Sequence, residues 1–394
     1  MTRSTLKPSP PTRWIAFGIL VALFSFLVLF LVYRRSALRW GQKTNRALEV
    51  EKKIEELEKK AYALDASLLL HEFQAMESSL SACPQGYQRG ARMLYECGKR
   101  QRKKEARRLL FVKTLEVIFG KALERFPHDT VSLWYAHLCL EKMNEYARAA
   151  ECLQRIDEIS PATAFGHCAK GILLARRKGK QGDSLAKALF QKTVETDPHF
   201  VWGYIRRGFL GLQCPGEATQ DFEKAIEMDP FEPEAHLGRA MRQSAQKKDG
   251  LALRHFEKAI EIAPDWAVSW NNRGSFWMER GVWEKAEADY EEALALAPRF
   301  VSAYNNYGSL MARRKEYRKA LDLFAKAIAC APEDALSYLN RGSVYQELNL
   351  EEEALQDYEQ AILLAALPEA HNNRGIISND ERSSARPCMN STKP

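Results

Sequence analysis

Hydrophobic and polar positions between Pro264 and Pro332 follow one pattern written twice. Trp270, Gly274, Ala286, Tyr290, Ala293 and Pro298 are matched 34 residues later by Tyr304, Gly308, Ala320, Phe324, Ala327 and Pro332. An aromatic and a glycine four apart lie one turn apart on a first helix, and the glycine lets a second helix approach closely. Ala, aromatic and Ala at helical spacing then form the apolar stripe of that second helix, which the proline stops. Each unit is therefore predicted to be a helical hairpin. Alone it cannot bury its stripe, so it must stack on a neighbour.

The closing proline recurs as Pro127, Pro161, Pro198, Pro230, Pro264, Pro298 and Pro332, at intervals of 34, 37, 32, 34, 34 and 34. Twelve residues before each later proline stand Ala149, Ala186, Ala218, Ala252, Ala286 and Ala320, and the register continues in Ala354, Tyr358 and Ala361. The small-residue position holds Gly171, Gly208, Ala240, Gly274, Gly308 and Gly342, with His137 replacing it in the first clear unit, where a looser hairpin is expected. Large aromatic, Gly, Ala, aromatic, Ala and Pro in this order resemble the tetratricopeptide repeat family. The resemblance implies an all-α, right-handed superhelical solenoid, with seven repeats over residues 128–365, a degenerate one within 81–127 and a partial helix at 366–377. Two connections depart from the stride: Arg176 to Ser184 carries three extra residues, and the turn at Cys214, Pro215 and Gly216 is two short. Residues 378–394 are polar and are expected to be disordered.

The N-terminal end follows another rule. After a polar tail, 1–13, Trp14 to Tyr33 is uncharged and apolar, with aromatics at both ends and Arg34 and Arg35 behind it. At ~1.5 Å per residue such a run spans the ~30 Å hydrocarbon core, so 14–33 is expected to be a transmembrane helix and not a cleaved signal peptide, whose apolar run is shorter. Arg34, Arg35, Arg39, Lys43 and Arg46 outnumber Arg3, Lys7 and Arg13, which places the repeat body in the cytoplasm by the positive-inside rule. Within a helical stalk, 34–80, Ala47, Val50, Ile54, Leu57, Ala61, Leu64 and Leu68 form a heptad seam. The seam serves either a coiled-coil homo-oligomer or the docking of one charged helix on the first repeats.

The 394 residues are 46% hydrophobic and 28% charged, and repeats make domain counting by length meaningless. The net charge of +7 is concentrated before residue 110, so nucleic acid is not an expected partner. Lys99 to Arg108 reads KRQRKKEARR. It could hold anionic lipid headgroups or an acidic partner, but a solvated helix face is the expected role. The cysteines at 83, 97, 139, 152, 168, 214, 330 and 388 form no CxxC pair and read as small buried hydrophobes of a reducing compartment.

Catalytic motifs are missing: there is no GxxxxGK[ST], HExxH, GxSxG or strand-borne GxGxxG, and neither enzyme activity nor a metal or other cofactor is expected. His167, His236 and His371 fall at the large-residue position, where packing is the expected role. Asparagine does repeat, as Asn272, Asn306, Asn340 and Asn373, preceded by Asn271, Asn305 and Asn372. In the family these positions face the inner groove. Asn is a poor helix residue, by roughly 0.5 kcal/mol against Ala, and a row of amides can pair with the main chain of any extended peptide. The other reading is that these amides bond across adjacent helices and serve stacking. The family's two-carboxylate clamp is not matched: its positions hold Asn271 with Ser275, Asn306, and Leu336 with Asn340, or, earlier, Cys168 with Ile172, Arg206, and Glu234 with Gly238. A membrane-bound scaffold for a protein or peptide partner is the function expected. The alternatives are an oligomeric assembly protein working through its stalk and convex face, or a subunit that recruits an enzyme to the membrane.

Overall fold

The structure, a computed structural model, describes residues 84–101, 104–176, 180–211, 217–365 and 367–384, together with Lys52, Glu56, residues 69–71, Phe73 and Gln74. The expected span 14–33, the seam residues from Ala47 to Leu68, and residues 385–394 lie outside the described residues. Among the described residues no helix is long and apolar enough to cross a membrane, and every regular element is helical. The chain divides into two compact units, Met1–Met93 and Leu94–Pro394. In the first, Leu69 and Phe73 are buried.

Helices α1 (Pro84–Arg100) and α2 (Lys104–Val117) make the degenerate hairpin, α2 passing into a π-turn at Ile118–Ala122. Seven hairpins follow: α3 (Thr130–Lys142) with α4 (Tyr146–Ile159), α5 (Ala164–Arg176) with α6 (Lys180–Thr196), and α7 (Val201–Leu210) with α8 (Glu217–Met228). Next come α9 (Pro233–Ala245) with α10 (Asp249–Ile262), and α11 (Ala267–Glu279) with α12 (Trp283–Leu296). The last are α13 (Val301–Arg313) with α14 (Tyr317–Cys330), and α15 (Ala335–Glu347) with α16 (Glu351–Leu364). A single helix, α17 (Pro368–Ser384), closes the array. It runs past the expected end at 377 and makes residues 378–384 helical where a disordered tail was expected. No proline or glycine follows Gly375 until Pro387, so nothing in the covalent chain stops the helix that buried Ile377 anchors.

The packing inside a hairpin obeys the spacing rule. A Cβ on Gly274 would stand 2.8 Å from the Tyr290 ring, one on Gly308 2.6 Å from Phe324, and one on Gly342 2.8 Å from Tyr358, all sixteen residues apart. The insertion lengthens this offset to nineteen, Gly171 on Phe190, and the deletion shortens it to fourteen, Gly208 on Phe222. The contact survives both changes: the insertion extends α6 at its start, to 17 residues against 14 in α12, and the deletion goes with a shorter α7 and α8, 10 and 12 residues against 13 and 14 in α11 and α12. Opposite His137 stands not an aromatic but Leu153; both are fully buried, and the His137 ring nitrogen Nδ1 lies 3.0 Å from the Ala149 carbonyl. The hairpin is complementary there, not loose.

Three further devices recur at the same stride. Bidentate pairs Arg273–Asp289 and Arg341–Asp357 join first to second helix sixteen residues apart, and Arg207–Asp221 does so at fourteen. The polar tip of the large first-helix residue reaches the carbonyl of the preceding closing proline: Trp270 to Pro264 at 2.7 Å, Tyr304 to Pro298 and Tyr204 to Pro198 at 3.2 Å, and His236 to Pro230 at 3.0 Å. The hairpin turns hold Lys247, Gly281, Lys315 and Asn349 in the left-handed region, φ 58°, 72°, 64° and 56°. At Lys315 the following amide, Glu316 N, bonds back to Met311 O at 2.9 Å, which closes the helix end.

First helices of successive repeats touch one another, while successive second helices meet chiefly through the first helix between them. The first helices therefore lie on the inside of the curve. The asparagine column and the site described next belong to that inner face.

Candidate binding groove

The column is largely committed to stacking. Asn271 and Asn305 are buried. Asn306 donates to Asn271 Oδ1 at 3.0 Å and to Ser275 Oγ at 3.2 Å, joining α13 to α11. Asn305 donates to Ser337 Oγ at 2.9 Å and Asp334 Oδ2 at 3.1 Å, joining α13 to α15. Asn272 donates to Val268 O in its own helix at 2.8 Å. Asn340 is half-buried, Asn372 is exposed, and Asn373 is half-buried beside the Tyr358 hydroxyl. The amides thus do not form one continuous free row; Asn272 lines a cavity in the groove.

That cavity, about 300 Å³, lies between the first helices α3, α7, α9 and α11. Its walls are apolar: Phe209, Leu237, Met241, Trp266 and Val268. Glu141, Arg206 and Glu234 also line it. A second cavity of about 270 Å³ shares Glu141, Arg206 and Phe209 and continues toward Ile172 and Phe190. Arg206 is clamped between two carboxylates, 2.9 Å from Glu234 and 3.4 Å from Glu141.

An ionic cluster extends from this point across the curl of the array. Lys142, at the end of α3, is buried 3.0 Å from Glu234 and 3.4 Å from Glu232, with its ammonium 4.1 Å from the Trp266 ring centre. Lys99 of α1 is buried against Asp229 at 2.5 Å, Glu96 at 3.2 Å and Glu232 at 3.3 Å. Arg107 is buried 2.7 Å from Asp265, whose carbonyl also accepts from Asn144. Lys142 and Glu234 lie 92 residues apart in sequence, Lys99 and Asp229 130, and Arg107 and Asp265 158. The basic run is therefore not simply the solvated face expected of it: Lys99 and Arg107 are pulled into the interior by carboxylates at the entrances to α9 and α11. Burial alone would push the Glu234 carboxyl up, but the charges of Arg206 and Lys142 outweigh it and hold it down at about 2. Burial works likewise against the Lys99 ammonium, and the carboxylates of Glu232, Glu96 and Asp229 outweigh it and raise the pKa.

Cys97, Cys139, Cys152 and Cys168 are buried and Cys330 is half-buried; Cys83, Cys214 and Cys388 lie outside the described residues. Among the described residues no group of three or more His, Cys, Asp or Glu side chains is arranged to hold a metal ion. Sequence reasoning missed the ionic cluster, whose one local signal is Glu232 and Glu234 at the mouth of α9 with no basic neighbour in sequence.

The tetratricopeptide repeat sequence models match residues 278–335 and 335–366. No curated protein matches the chain in sequence. Among solved structures it is similar to that of the APC/C hetero-tetramer Cut9–Hcn1, at 16% identity and TM-score 0.53 over 82% of this chain and 66% of that one. It is similar also to a human IFIT1 dimer with m7Gppp-AAAA, at 15% identity and TM-score 0.51 over 74% of each chain. Yeast Tom70 aligns at 15% identity and TM-score 0.48 over 88% of this chain and 86% of its own. The fold is thus a tetratricopeptide-like helical array, and residues 278–366 are tetratricopeptide repeats.

Proposed function

We propose that this chain is a membrane-anchored, non-enzymatic adaptor whose inner groove holds an extended segment of a partner protein. The observation that carries the reading is the pair of adjoining cavities on the inner face, walled by Phe209, Leu237, Met241 and Trp266 and rimmed by Asn272. Mostly apolar concavities with a few placed polar groups are where ligands bind. The uncharged run 14–33 supports the tether, and the excess of Lys and Arg behind it supports a cytoplasmic body. Although the IFIT1 structure holds a capped RNA, Lys99, Lys142 and Arg206 here are each held by carboxylates of the array and so are engaged within the fold and not offered to a phosphate backbone.

Photo-crosslinking tests the reading. A benzoylphenylalanine placed at Met241 or Asn272 in the groove, and at exposed Lys326 on a second helix, is irradiated in intact membranes. Discrete partner adducts from 241 and 272, without the same adduct from 326, are expected. The same adducts from 326 alone would move the function to the outer face.

A further inference from the structure

Given the reading of the inner face as a binding surface, we infer that Lys99, Arg107 and Lys142 form a clasp that holds the first turn of the array shut on the entrances to α9 and α11, and that its release widens the groove to admit the partner's segment.

Size calls for an opening step. Cavities of about 300 and 270 Å³ stand at the lower end of the ~300–1,000 Å³ that ligand pockets occupy, room for single side chains and not for an extended main chain. The walls that must part are the two sides of the ionic cluster. Glu141 and Tyr146, on one side of the larger cavity, flank Lys142; Glu234 and Trp266, on the other, are what Lys142 holds. Arg206 bridges Glu141 and Glu234 between them. The same two sides are joined by Arg107 to Asp265 at 2.7 Å, by the Asn144 amide to the Asp265 carbonyl at 3.2 Å, and by the Tyr146 and Phe300 rings, 6.1 Å between centres.

These junctions differ in kind from those within the repeats. Hairpin partners are close-packed, glycine against aromatic ring. Among the described residues α2 with α11, and α3 with α9, do not pack helix on helix; the tips of long side chains join them. Buried Glu232 ties two links together, 3.3 Å from Lys99 and 3.4 Å from Lys142, and its Oε1 makes no hydrogen bond. Desolvation cancels much of the attraction in a buried ion pair, so letting both partners return to water together costs far less than stripping one of its partner. The clasp can therefore part while the hairpins on either side of it stay whole.

The test reads the opening separately from the binding. Spin labels on non-canonical residues replace exposed Ala147 of α4 and Glu284 of α12, with Glu284 and Lys326 as the reference pair, in the full chain in detergent diluted into excess unlabelled chain. Pulsed dipolar spectroscopy gives each distance. Asp265→Lys sets like charges together at Arg107 and should lengthen the distance from 147 to 284 by more than ~2 Å, leaving the reference pair unchanged. Asp265→Asn, which removes only the charge, should move it less and in the same direction. In membranes Asp265→Lys should raise the partner adduct from benzoylphenylalanine at Met241 about fivefold. Arg107→Glu added to Asp265→Lys restores an ion pair of opposite sense, and both readings should return to those of the unaltered chain although the new lysine still lies beside the groove. A distance that ignores the charge reversal would overturn the clasp and leave the groove standing. Lengthening without more adduct, or with a rise that the second substitution does not reverse, would show that the clasp does not control entry. No adduct from 241 in any variant would remove the groove and the gate with it, whatever the distances.

Discussion

Asn306 donates its side-chain amide to Asn271 Oδ1 at 3.0 Å, across one repeat pitch. The acceptor is buried, so this bond clamps α13 to α11 wherever a ligand lies. Asn271→Ala removes one acceptor while Ser275 Oγ still accepts from half-buried Asn306, and should cost about 0.5–1.5 kcal/mol in urea unfolding. A double-mutant cycle with Asn306→Ala should return a coupling of about 0.5–1.5 kcal/mol. No coupling, with unchanged stability, would release these amides for a ligand role.

Gly308 and Phe324 should behave as one unit. A methyl group at 308 would stand 2.6 Å from a ring that is itself buried and has nowhere to go. Gly308→Ala is expected to destabilise by about 1–3 kcal/mol, and Phe324→Leu added to it should recover part of the loss, as the natural His137 and Leu153 combination does in the first repeat. Thermal melts of the single and double variants read this directly.

Lys315 is exposed and sits at φ 64°, where a β-carbon crowds the following carbonyl. Gly281 already occupies the equivalent position one repeat earlier. Lys315→Gly should therefore stabilise by about 0.5–1 kcal/mol after the greater chain entropy of glycine is counted. A lower melting temperature would show that the lysine side chain does something the backbone does not reveal.

Lys142 links the end of α3 to Glu232 and Glu234. Lys142→Met leaves those carboxylates buried with less positive charge beside them, and about 3–5 kcal/mol of stability should be lost. Lys142→Arg should retain more of it. Native-state hydrogen exchange should show the loss in α3 and α9 before the last repeats, where no residue of this cluster lies.

Acid should weaken the fold in two windows. His236 donates from Nε2 to Pro230 O and meets His255 Nδ1 at 3.1 Å, with Arg239 and Lys258 also near and Glu232 and Asp229 more weakly opposed. Burial first, then the His236 and Arg239 charges, lower His255 to about 4. A lowered histidine stabilises above its ordinary value of 6.5 and loses that contribution as pH falls toward 4. Glu234, held at about 2, contributes fully above its ordinary 4.5 and loses its share as pH falls from there toward 2. Urea midpoints should drop between pH 6.5 and 4 and again below 4.5, and His255→Gln should flatten only the first step.

The repeat register and the hairpin pairing were readable from spacing, because the 3.6-residue period and the Gly–aromatic contact act within some sixteen residues; that the insertion would lengthen α6 instead of forming a loop was not. The amino-acid sequence by itself determined that these hairpins exist and stack, since each carries an apolar stripe it cannot bury alone. Tertiary structure decided where the inner-face polar groups go. Whether Asn306 meets a ligand or Asn271, and whether Lys99 and Lys142 meet water or Glu232, depends on how tightly the array curls. That curl sums small rotations over several repeats and brings together charges as far as 158 residues apart, a separation over which no local period carries information.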